Sequence, residues 1–243
     1  MPFLKEKDRT TIKEYFQKNL KNPVELILFT QGQSELDIPI EHKCSLCQET
    51  EDLLTELVDL HEKINLTIFD FIKEEKLAQE YGIERLPAII VKGQPERHVR
   101  FFGIPSGYEF SSLTKDIVLV SQNSTELTDE TKEKLKSIQE EVHIQVFVTP
   151  TCPYCPRAVI MAHQFAMENP NIIADMIEAS EFVDLSTKYG VMGVPKIIIN
   201  DRHYFEGALP ENLYLAAVLK SLRQSVPEEQ LAQLDQYLKD LKI

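Results

Sequence analysis

Apolar positions along this chain follow two alternating rhythms. Continuous β-rich runs occur at VELILFT, Val24 to Thr30, and at VHIQVFVT, Val142 to Thr149, as expected of strands buried in a sheet. Each run leads to a Cys-x-x-Cys pair, the first through a loop about eleven residues longer. Helical spacing follows each pair: Leu53, Leu54, Leu57 and Leu60 in one half, and Val159, Met161, Ala162 and Phe165 in the other, predict helices with one apolar face. A second strand is predicted at INLTIFDF or NIIADMIEA, then a short helix ending near Tyr81-Gly82 or Tyr189-Gly190, where glycine can take a left-handed cap. Strands at LPAIIVK and VPKIIIN, a partner strand after each and a final helix complete both patterns.

The two patterns are copies. Cys44 and Cys47 of CSLC lie 108 residues before Cys152 and Cys155 of CPYC, and at the same offset Tyr81 matches Tyr189, Gly82 matches Gly190 and Pro87 matches Pro195. Five identities in one register read as a duplication. The polar stretch from Ser121, with Thr128 as helix N-cap, is the expected junction, giving a first unit over 1–122 and a second over 123–243.

Composition narrows the function. The chain has 243 residues, 43% hydrophobic and 27% charged, enough for two cores, and its formal charge of −13 with no Lys/Arg cluster argues against nucleic acid or an anionic membrane as partner. The N-terminal MPFLKEKDRTTIKEYF lacks the apolar core of a signal peptide and no run is long enough to span a bilayer, so a cytoplasmic location is expected. In a reducing compartment paired cysteines point to catalysis or metal binding.

A strand that runs into a helix beginning at Cys-x-x-Cys sets the first sulfur beside free N–H groups and the positive end of the helix dipole. That favours thiolate below the free thiol pKa of about 8.5. The second sulfur, one turn on, can attack a mixed disulfide on the first and release the partner. Pro153 restricts the backbone between the sulfurs, and Pro156 suits an early helical position. Pro87 and Pro195 open strands behind Leu86 and Val194, positions compatible with cis bonds that free the preceding backbone groups to pair with an extended peptide.

CPYC is the glutaredoxin-type motif, and each half has the strand, Cys-x-x-Cys helix and Tyr-Gly-x-x-x-x-Pro-strand layout of the thioredoxin superfamily. With TPTCPYCPRAV in the second half, nearly the whole chain resembles the glutaredoxin-like protein disulfide oxidoreductases of thermophilic bacteria and archaea. The resemblance implies an α/β fold of two tandem thioredoxin-fold units, each a central mixed β-sheet flanked by helices. It also implies disulfide exchange with protein substrates, no bound cofactor, and a thioredoxin-reductase-like flavoprotein as electron donor. By that likeness Cys152 and Cys44 are nucleophiles, Cys155 and Cys47 resolve, and Pro195 and Pro87 are the cis-prolines; Val194 and Leu86 before them are expected to contact substrate, and Tyr154, fixed between the sulfurs, is expected in the docking surface. One departure stands out: no carboxylate occupies the strand before Cys152, where thioredoxins carry a buried acid, so the resolving cysteine needs another group or water to take its proton.

Other readings stay open at this level. Four cysteines could hold zinc, although 104 residues separate Cys47 from Cys152. The loop from Thr30 to Lys43 could gate substrates or be solvated surface, and His42 could tune Cys44 or lie idle. Asp70 and Glu178, matched at 108, read as exposed strand-end charges or proton relays. Leu231, Leu234, Leu238 and Leu241 form a stripe for a homodimer seam or for packing on their own unit. In function, the rivals to a protein disulfide reductase, oxidase or isomerase are an electron carrier from a flavin-dependent reductase to a peroxidase, and a redox-inert peptide-binding module.

Overall fold

The computed structural model describes residues 3–31, 44–94 and 97–240, so most of the Thr30–Lys43 loop, including His42, and Leu241 lie outside the described residues. The chain divides into two compact units: residues up to Pro105 with Leu113–Asn123, and Ser106–Ser112 with Ser124 onward.

The first unit runs α1 (Glu6–Asn19), β1 (Val24–Thr30), α2 (Cys47–Val58), β2 (Ile64–Asp70), α3 (Glu75–Glu80), β3 (Ala88–Lys92) and β4 (His98–Phe102), and receives most of α4 (Phe110–Gln122). Its strands stand in the order β2-β1-β3-β4. β1 pairs parallel with β2, Val24 opposite Ile64, and antiparallel with β3, which pairs antiparallel with β4. A parallel pair needs a crossover, and α2 supplies it. β1 is buried at all but one position because both of its faces are covered, which is why its sequence shows no alternation. Leu26, Leu28 and Phe29 of β1, Leu54 and Leu57 of α2 and Ile89 of β3 form a core from which water is excluded. At the sheet edge β2 keeps Ile68 40% exposed.

The second unit repeats the plan with α5 (Asp129–Ser137), β5 (Val142–Val148), α6 (Cys155–Glu168), β6 (Ile172–Glu178), α7 (Val183–Lys188), β7 (Lys196–Ile199), β8 (His203–Glu206), α8 (Glu211–Ser221) and α9 (Glu228–Asp240). The order is β6-β5-β7-β8, with β5 and β6 parallel and the other pairs antiparallel. The strand pairing of each unit is therefore mixed and flanked by helices, as expected. Thr128 caps α5, its hydroxyl accepting from the Thr131 N–H at 3.3 Å. Gly82 and Gly190 take the left-handed turns foreseen for them, at φ +63° and +59°. The recurring tyrosine has a packing reason: Tyr81 lies against Phe29 and Tyr189 against Phe147, pinning the end of each short helix to the central strand. α9 packs on α8 with Leu234 buried, so that leucine of the stripe serves its own unit.

Among the described residues no helix is long and apolar enough to cross a membrane.

Candidate redox site

In both units the helix begins at the second cysteine, not the first. α2 opens at Cys47 and α6 at Cys155, and each pair is closed as a disulfide with its Cα atoms 5.5 Å apart. Those bonds engage all four sulfurs; among the described residues no group of three or more His, Cys, Asp or Glu is placed to hold a metal.

At CPYC the Cys155 N–H donates to Cys152 Sγ at 3.1 Å. This amide is one of those a helix leaves without an internal partner, so the fold directs a donor at the Cys152 sulfur, an arrangement that favours negative charge there. Pro156 follows at the helix start, where its missing N–H costs no ladder bond. Cys152 is 7% exposed and Cys155 not at all, so Cys152 is the more accessible sulfur. The Val194 carbonyl oxygen lies 3.7 Å from Cys152 Sγ, and the Val194–Pro195 bond is cis. Tyr154, between the cysteines, is 65% exposed, and Met192, two residues before Val194, is 94% exposed. Both apolar side chains are thus open to solvent on segments that carry or follow the pair.

CSLC is wired differently. The Gln31 N–H donates to Cys47 Sγ at 3.3 Å and the Gln31 side chain accepts from the Cys44 N–H at 2.8 Å, so one residue at the end of β1 grips both cysteines. Cys47 is buried and Cys44 half-buried. Leu86–Pro87 is cis, but its loop carries Glu84 and Arg85 where the other carries Met192 and Gly193.

The two matched carboxylates, Asp70 and Glu178, differ in their surroundings. Asp70 caps the turn after β2, accepting from the Ile72 and Lys73 amides, and pairs with Lys73 at 3.6 Å. Glu178 is not an exposed strand-end charge: it is 3% exposed because its side chain turns inward to accept from the Glu181 N–H at 2.6 Å.

Sequence reasoning missed Glu109. This carboxylate is 1% exposed and accepts from the Ser112 hydroxyl at 2.6 Å. It sits in a short 3-10 turn, Gly107–Glu109, that packs against α6, while the Tyr108 N–H donates to the Pro150 carbonyl two residues before Cys152. The signal was Gly107: at φ +62°, a Cβ there would fall 2.2 Å from the Pro150 oxygen, so only glycine admits the approach. A buried acid therefore does accompany this redox helix, supplied from 43 residues upstream of Cys152.

Known proteins agree with this geometry. The thioredoxin domain family model matches residues 142–220. The protein disulfide oxidoreductase of Aeropyrum pernix is 32% identical, with a TM-score of 0.80 over 91% of this chain and 96% of that one. AhpF of Enterococcus faecalis, a component of its alkyl hydroperoxide reductase, has a TM-score of 0.78 at 26% identity, covering 89% of this chain and 99% of that one. The corresponding alkyl hydroperoxide reductase component of Staphylococcus aureus is 29% identical over 163 residues, which are 67% of this chain and 29% of that protein, so the chain spans under a third of the curated relatives it matches. With its doubled fold, its two redox-capable cysteine pairs and its likeness to the Aeropyrum pernix protein along nearly the full length of both, the chain belongs to the family of tandem thioredoxin-fold protein disulfide oxidoreductases.

Proposed function

We propose that the chain exchanges disulfides with protein cysteines in the cytoplasm, with Cys152 attacking and Cys155 resolving. The observation that carries this reading is the helix-start amide of Cys155 directed at Cys152 Sγ, on the more accessible member of the pair. In the reductive direction the Cys152 thiolate attacks a substrate disulfide. One S–S bond breaks, a mixed disulfide forms and a substrate thiolate leaves. Cys155, deprotonated, then attacks Cys152 Sγ, releasing the second substrate thiolate and leaving the Cys152–Cys155 disulfide. Two electrons have moved to the substrate, and a thioredoxin-reductase-like flavoprotein is the proposed donor that restores the dithiol. Glu109 is the proposed acceptor of the Cys155 proton, being the buried carboxylate on the segment packed against α6. Val194, Pro195 and Tyr154, and in the first unit Leu86 and Pro87, are the proposed peptide-contacting residues.

A second reading has an observation of its own. The likeness to components of alkyl hydroperoxide reductases favours an electron carrier between a flavin-dependent reductase and a peroxidase. Turnover separates the two: the first reading expects reduction of a general disulfide-bonded protein such as insulin with dithiothreitol as reductant. Absence of that turnover, with electron delivery only to a peroxidase, would favour the carrier.

A further inference from the structure

We infer that Lys196 is a positioning residue for the docking loop of the CPYC site, and that Arg100 does the same work in the first unit. The inference rests on the disulfide-exchange reading above and adds a determinant of how substrate is held.

A lysine is seldom buried without partners, because removing its charge from water is costly. Lys196 is 5% exposed. Its Nζ donates to the Gly190 carbonyl at 2.8 Å, lies 4.5 Å from the centre of the Tyr204 ring and stands 3.6 Å from Glu206 Oε1. Gly190 ends the turn after α7, where the last carbonyls of a helix have no donor within it. The bond from Lys196 to Gly190 therefore ties together the two ends of the segment Val191–Pro195. Inside that segment a Cβ on Gly193 would meet nothing within 4 Å and Met192 is almost fully exposed, so packing supplies little restraint there. Val191 is held by its N–H to the Ser186 carbonyl at 2.8 Å. Val194, whose carbonyl faces Cys152 Sγ at 3.7 Å, lies two residues from the charge-assisted Lys196 tie.

The first unit meets the same need with a different residue. Arg100 is 6% exposed, donates to the Tyr81 carbonyl at 2.7 Å and reaches the Gly82 carbonyl at 3.4 Å, with its guanidinium 5.5 Å from the centre of the Phe102 ring. Arg100 is not the counterpart of Lys196. Ala88 follows Pro87 as Lys196 follows Pro195, whereas Arg100, opposite Ile90, corresponds to Tyr204, opposite Ile198. The cation thus comes from a different strand in each unit, yet it ends on the carbonyls of the same Tyr-Gly turn. Two chemically independent solutions converging on one turn point to the target, the base of the docking loop, as what matters. Gly82 accommodates its clamp closely: a Cβ there would fall 2.7 Å from the Arg100 nitrogen.

The test uses the full chain with insulin as disulfide substrate and dithiothreitol as reductant. Lys196→Met keeps the length and loses the charge. We expect the KM for insulin to rise roughly tenfold, equivalent to about 1.4 kcal/mol. The kcat, and the iodoacetamide alkylation rate of Cys152 in the reduced protein, should change by less than about twofold, and Lys196→Arg should recover most of the lost KM. Amide hydrogen exchange at Val191–Val194 should accelerate in Lys196→Met, a readout independent of turnover. An unchanged KM with unchanged exchange in the folded variant overturns the inference. So does a fall in alkylation and turnover together, which would make Lys196 a general support of the unit. If Lys196→Met does not fold, Lys196→Gln, too short to reach Gly190, is judged by the same readouts. Failure of the wild type to reduce insulin would instead sink the exchange reading, while accelerated exchange at Val191–Val194 would still report the tie.

Discussion

A thiol closed off from water releases its proton poorly unless a base lies close by, and Cys155 is fully buried. Glu109 is the proposed base, on a segment outside the redox motif that packs against α6. Glu109→Gln keeps the shape and the Ser112 contact while removing the base. The mixed disulfide formed by Cys152 should then persist about tenfold longer or more, while the alkylation rate of Cys152 stays the same. Rapid-quench trapping measures both, and an unaltered lifetime would exclude Glu109 from proton transfer. The cysteines and matched prolines were readable because their spacing repeats; Glu109 was not, because it reaches α6 through a turn that only Gly107 permits. Lys196 hid for a related reason: in a strand of isoleucines it looks like an exposed position, and its burial is visible only with the Gly190 carbonyl in place.

Elements were legible where one force dominates. β1 and β5 read as continuous apolar runs because nearly every position of each is buried, and α2 and α6 read as amphipathic because one face of each packs on a sheet. Helix starts depend on finer balances. Cys47 and Cys155 open their helices although no side chain caps them, so periodicity alone could not say which cysteine begins the turn. The start of α5 shows a cap coupled to a distant helix. The Thr128 hydroxyl and amide donate to Glu211 Oε1 at 2.7 and 2.9 Å, joining the first turns of α5 and α8. Partial burial pushes the Glu211 pKa up, but the hydrogen bonds from Thr128 and Thr131 and the charge of Lys132 outweigh it, so the carboxyl titrates below its ordinary range. A depressed folded-state pKa contributes stability above the unfolded-state value, and that contribution disappears as pH falls through the folded one. Glu211→Gln should therefore lower Tm at pH 7 and lose that deficit under acid conditions. The effect will be modest, since the group is only partly buried. A gap in Tm independent of pH would show that the carboxylate charge does not matter there.

For the molecule as a whole, the question is why there are two pairs. A single dithiol suffices for reduction, whereas rearranging a wrong disulfide takes attack, release and often another redox event. A second site on the same chain raises the effective concentration for that step. The sites differ in chemistry: CPYC has a helix amide on its first sulfur and Met192-Gly193 in the loop before its cis-proline, while CSLC is gripped by Gln31 and has Glu84-Arg85 at the matching positions. Different reduction potentials should follow. Cys44→Ser combined with Cys47→Ser is expected to leave most insulin reduction intact and to cut reactivation of a scrambled disulfide protein more deeply. Undiminished isomerisation would confine the first unit to a structural or docking role.

The central claim, that Cys152 attacks protein disulfides and Cys155 resolves, is tested most directly by trapping. Reduced Cys155→Ser, Cys152→Ser and wild-type chains are mixed with a disulfide-bonded protein, quenched with acid and resolved by mass. The account predicts a persistent mixed disulfide through Cys152 in Cys155→Ser, little in the wild type, where resolution is fast, and little in Cys152→Ser. A stable adduct through Cys155 in Cys152→Ser, at a rate matching that of Cys155→Ser, would contradict it.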